Sequence, residues 1–156
     1  MQENTTIQVS RSRALALRET FPNLTYDEII QRLLGQDTFT PDTRVLEFTK
    51  LIKPGYQDEQ IRQPGVNGLI TGTLMHFPPG PSGLVEVRIV LQGSRGGNDP
   101  IFPSLEDAFV ALDDSDLAVT GLAIPVQSRD NIRVEWYNYD GGFAHTVPVF
   151  VLVSRG

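Results

Sequence analysis

Hydrophobic and polar positions change their period along this chain. At the amino terminus Ile7 and Val9 alternate with polar Thr6, Gln8 and Ser10, the period of a half-buried strand. Arg11 to Thr20 is rich in Ala, Leu and Arg, which favour helix, and Pro22-Asn23 stops it. Thr25-Tyr26-Asp27-Glu28 then forms a capping box, and Tyr26, Ile29, Ile30, Leu33 and Leu34 follow at helical spacing until Gly35. The expected order is strand, helix, turn, helix.

From Val66 onwards the pattern shortens to apolar runs separated by turn residues. Strands are expected over Leu69 to Phe77, Leu84 to Leu91, Phe109 to Leu112, Leu117 to Val126, Ile132 to Asn138 and Thr146 to Val153. Their spacing suits an antiparallel β-sandwich of the jelly-roll kind. Pro78 to Gly83 makes a tight connection between the first two, and Asp140-Gly141-Gly142 is expected to turn the last pair into a hairpin. Between the two halves, Arg44 to Ile52 reads as a strand ended by Pro54-Gly55, and Tyr56 to Pro64 as a polar extended loop. The fold class expected is therefore α+β: a unit over residues 1–35, a linker or arm over 36–65, and a sandwich over 66–156.

Alternation also assigns faces. Val85, Val87, Ile89 and Leu91 should be buried, as should Ile132, Val134 and Trp136. In the last strand Val147, Val149, Val151 and Val153 oppose Pro148, Phe150, Leu152 and Ser154, so the second face is also apolar. Either it forms part of a two-sided core, or Phe150 and Leu152 meet another element or another subunit.

Composition bounds these readings. Of 156 residues 40% are hydrophobic and 21% charged, values ordinary for a globular protein. No apolar run is long enough for a membrane helix, and the start MQENTT lacks the basic and apolar regions of a signal peptide, so a soluble, unprocessed chain is expected. The absence of cysteine removes disulfides, thiolate metal sites and thiol catalysis. Thirteen basic against 19 acidic residues leave a net charge of -6, which repels phosphate backbones. Through Gly35 the balance is neutral, with Arg11, Arg13, Arg18 and Arg32 set against Glu3, Glu19, Asp27 and Glu28.

The stretch TTIQVSRSRALALRETFPNLTYDEIIQRLLG, about a fifth of the chain, resembles the ribbon-helix-helix family in its antitoxin-like forms. The resemblance implies an intertwined dimer or docking unit held by Ile7, Val9, Leu15, Leu17, Ile29, Ile30 and Leu33. In DNA-binding members the outward strand residues read bases; carried over, the DNA contacts would be Thr6, Gln8, Ser10, Arg11 and Thr25. Two features favour a clasp over a reader. Ala14-Leu15-Ala16-Leu17 stands where similar proteins usually place charged residues, and the neutral unit does little to offset the acidic remainder.

The later pattern, GLITGTLMHFPPGPSGLVEVRIVL, IFPSLEDAFVALDD and RDNIRVEWYNYDGGFAHTVPVFVLV, resembles β-sandwich virion proteins of tailed viruses, the capsid decoration or cement proteins. That resemblance implies a role in assembly.

Catalytic chemistry has little to stand on. His76 and His145 are the only histidines, and neither comes with a three-ligand set or a triad, so no catalytic residue, metal site or cofactor is expected. His145 is expected to bond a backbone group. Asp113, Asp114 and Asp116 present oxygens suited to calcium, but lack the EF-hand glycine and glutamate; a solvated turn is favoured. Gly93 to Gly97 is a flexible loop rather than a phosphate loop. Tyr137 and Tyr139 are aromatic contacts for a sugar if the sandwich binds glycans.

The expected protein is thus a non-enzymatic structural protein, a decoration (cement) protein on the capsid surface of a virion, with itself and a major capsid or other lattice protein as partners. The alternative is a cytoplasmic ribbon-helix-helix transcriptional regulator, with nucleic acid as partner.

Overall fold

A computed structural model describes residues 42–93 and 96–156. The ribbon-helix-helix-like segment, with its docking residues and the DNA contacts proposed for Thr6, Gln8, Ser10, Arg11 and Thr25, lies outside the described residues.

Among the described residues ten strands follow one another: β1 (Thr43–Phe48), β2 (Leu51–Ile52), β3 (Gln57–Arg62), β4 (Gly68–Phe77), β5 (Val85–Gln92), β6 (Asn98–Phe102), β7 (Ser115–Val126), β8 (Asn131–Asn138), β9 (His145–Thr146) and β10 (Val149–Arg155). Every pairing is antiparallel. Two four-stranded sheets, ordered β1-β10-β4-β7 and β3-β8-β5-β6, are accompanied by a short β2-β9 ribbon. The expected α+β class is corrected: among the described residues there is strand and no helix, and the described part is all-β.

The winding has a simple rule. The β5-β6 hairpin is innermost, and β4-β7, β3-β8, β2-β9 and β1-β10 are paired outwards from it. One long nested ribbon is folded so that its rungs, apart from the separate β2-β9 ribbon, fall alternately into the two sheets, and β10 meets β4 while β5 meets β8 to complete them. This is the jelly-roll winding.

Burial follows the alternation. Val85, Val87, Ile89 and Leu91 of β5, Ile132, Val134 and Trp136 of β8, and Val149, Val151 and Val153 of β10 all enter one core between the sheets. Phe48, Ile70, Met75 and Phe77 fill the same space from β1 and β4. Each such side chain contributes about 1.5–3 kcal/mol by leaving water. The Trp136 indole, fully buried, donates from Nε1 to the Val147 carbonyl at 2.9 Å, so its polar atom is satisfied inside the core.

Several local expectations change. Tyr56 to Pro64 contains β3, whose polar sequence conceals a strand because only one neighbour, β8, is needed to pair it. Sheet pairing therefore extends the sandwich back to Thr43, past the start expected at Val66. Phe109 to Leu112 supplies only an isolated bridge, Val110 to Val87, while Asn98–Phe102 forms β6. Asp140-Gly141-Gly142 does not close a hairpin: β8 and β10 lie in different sheets, and the turn carries the chain across.

Candidate functional site

The β2-β3, β4-β5 and β8-β9 connections lie together at one end of the sandwich, gathered around Asn138 at the end of β8. Buried there, the Asn138 amide donates from Nδ2 to the carbonyls of Ile52 (3.1 Å), Lys53 (3.2 Å) and Phe143 (2.9 Å), while its Oδ1 accepts from the Asp140 amide at 2.9 Å. Its backbone amide donates to Tyr56 O, and the next amide, Tyr139, donates to Leu84 O. One side chain and two backbone groups thus register three loops that sequence separates widely.

Asp140 holds the third loop closed. Its Oδ1 accepts from the amides of Gly142 (2.9 Å) and Phe143 (3.2 Å), and its Oδ2 meets His145 Nε2 at 2.7 Å. The hydrogen bond from His145, reinforced by those amides, holds the Asp140 carboxyl below its ordinary pKa. His145 bonds this carboxylate, not the backbone group expected of it.

These anchored loops carry an apolar surface. Leu51, Tyr56, Leu84, Tyr139 and Phe143 are all exposed, Phe143 to 71%, although every one lies in or beside the segments tied to Asn138. Large exposed apolar groups gathered on one rigid region mark an interaction surface better than the same groups scattered singly. The ring of Tyr139 lies near-parallel to Tyr137, 6.4 Å between centroids, and Phe109 packs edge-on against Tyr137 at 5.0 Å. Of the two tyrosines considered for sugar stacking, Tyr139 is exposed and Tyr137 is partly covered.

Farther along the same sheet, charge replaces aromatic surface. Arg88 and Arg133 both pair with buried Glu135, Arg88 through Nε and Arg133 at 3.3 Å; Arg88 also reaches Asp107 at 3.3 Å and lies 4.7 Å over the Phe109 ring. Hydrogen bonding to Glu135 raises the Arg88 pKa. The cleft between these arginines and the Pro103–Ala108 loop measures about 140 Å³, below the roughly 300 Å³ at which small-molecule sites begin.

The acidic cluster is divided by the fold. Asp113 Oδ1 accepts from the Gly80 and Ser82 amides and so shapes the β4-β5 loop, whereas Asp116 on β7 meets His76 Nδ1 of β4 at 2.5 Å. Among the described residues no three His, Asp or Glu side chains are grouped to hold a metal.

Sequence reasoning reached His145 and Tyr139, but passed over Asn138, Leu51, Tyr56, Leu84 and Phe143. An available signal was that large apolar residues flank polar turn segments at all three connections, as in Asp140-Gly141-Gly142-Phe143.

No family model matches the chain, and no curated protein matches it. Among solved structures, similarity is found to the Cyanophage Pam1 capsid asymmetric unit, with 14% identity over 73% of this chain and 82% of that chain, at a TM-score of 0.39. Infectious bursal disease virus, Gt strain, gives 11% identity over 74% of this chain and 33% of that chain, at a TM-score of 0.34. The Gx strain gives 14% identity over 72% and 33%, at 0.29. With TM-scores this low, the fold assignment rests on the strand order described above.

Proposed function

We propose that this chain is a non-enzymatic structural protein of a virus particle, and more narrowly a decoration protein seated on the capsid surface. The observation that carries the reading is the exposed apolar end formed by Leu51, Tyr56, Leu84, Tyr139 and Phe143 on loops fixed by Asn138. Rigid loops lose little conformational freedom on docking, so such an end gives up less of its contact energy to ordering. Jelly rolls serve as building blocks of virus capsids, but also of lectins and cupins, so the assignment depends on this surface and not on the fold. Its partners are further copies of the chain and a lattice protein, with several modest contacts adding up through multivalency.

The test is recovery of the full chain in purified particles of its source, in a fixed ratio to the major shell protein, together with the effect of Phe143→Asp. The expected result is stoichiometric wild-type protein and at least tenfold depletion of the variant, with the variant's circular dichroism unchanged. Absence of the wild type from particles, or undiminished incorporation of the folded variant, overturns the reading.

A further inference from the structure

The first sheet has a second buried face. On β10, Val149, Val151 and Val153 point into the core between the sheets, so Phe150 and Leu152 point away from it. Leu74 of β4 stands opposite Phe150, Gly72 stands opposite Leu152, and Ala118 of β7 continues the row. A one-sided sheet would leave these side chains in water. Instead Leu74 and Leu152 are 0% exposed and Phe150 1%, and His76, on the same face and paired with Asp116, is also buried.

The two outer faces differ in what covers them. Over the second sheet, Arg88, Val90 and Arg133 are approached by the described Pro103–Ala108 loop. The first has the other sheet on its core side only, so no strand of that sheet covers Leu74, Phe150 or Leu152.

We propose that the chain's own residues 1–41 lie across this face, seated on Leu74, Phe150 and Leu152. The described chain enters at β1, an edge strand of this same sheet, so the preceding segment begins at the rim of the face. Reach is ample: the sheet is about 15 Å wide, with strands spaced roughly 4.8 Å apart, and a few residues at up to about 3.5 Å each span it. The segment brings Ile7, Val9, Leu15, Leu17, Ile29, Ile30 and Leu33, apolar groups that need burial. Residues 1–41 carry four arginines against five carboxylates, a net charge of -1, so the segment brings little charge to the face. This docking is independent of the virion reading.

Photo-cross-linking of the full chain tests it. With p-benzoylphenylalanine at Phe150, irradiation should give a product of monomer mass whose cross-linked peptide lies within residues 1–41. The same probe at Ala118, a partly buried position on the same face, serves if the first replacement does not fold. A cross-linked product of dimer mass would assign the seat to a second copy, and cross-links confined to residues 42–156 would leave the segment elsewhere; either result overturns the proposal.

Discussion

The imidazole of His145 and the carboxylate of Asp140 meet at 2.7 Å across the connection that carries the chain from one sheet to the other. The same carboxylate caps the Gly142 and Phe143 amides, so one ionised group fixes the loop that presents Phe143.

That arrangement predicts an acid dependence. Hydrogen bonds from His145 and Gly142 lower the folded-state pKa of Asp140, so its carboxylate contributes stability above the unfolded-state pKa, about 3.9. The contribution is lost as pH falls through the lower folded-state value. The difference in urea midpoint between wild type and Asp140→Asn should therefore shrink as pH is lowered from 5 towards 2. A difference that stays constant over that range would remove Asp140 from the account.

Asn138 should be costly to truncate. Asn138→Ala removes the donor to the Ile52, Lys53 and Phe143 carbonyls and the acceptor for the Asp140 amide. Leaving such groups buried and unpaired costs about 2–3 kcal/mol. Urea unfolding should report that loss, and hydrogen exchange should show faster exchange at the Gly55, Gly142 and Phe143 amides. A change below about 0.5 kcal/mol, the range of neutral surface substitutions, would contradict the hub.

Two glycines separate close approach from open space. A Cβ on Gly68 would lie 1.9 Å from the Ser154 carbonyl oxygen, against the backbone of β10, whereas one on Gly141 would meet nothing within 4 Å. Gly68→Ala should destabilise by about 2 kcal/mol or more, since the strand must shift, while Gly141→Ala should remain within about 0.5 kcal/mol. Paired thermal unfolding curves measure both. Equal effects would show that the β4-β10 approach is not the constraint.

The alternating strands were legible in the sequence. In β5 and β8 one face is apolar and the other polar, so period alone assigned Val85, Val87, Ile89, Ile132, Val134 and Trp136 to the core. β3 was not legible, because Gln57–Arg62 is paired along one side only and its polar residues suit an edge as well as a loop. β6 was missed next to its glycine-rich hairpin. The apolar second face of β10 was visible, although nothing local said whether it would be core or contact.

By itself the sequence determined that short half-buried strands would form and which of their side chains would leave water, because these properties depend on neighbours two positions away. Only the tertiary structure decided which strands pair, since the nested winding brings together segments about 110 residues apart, as in Thr43 with Ser154. The functional surface belongs to the second kind. Leu51, Tyr56, Leu84, Tyr139 and Phe143 come to one end of the sandwich only when Asn138 draws three distant loops together, and hydrogen bonds between distant positions leave no period along the chain.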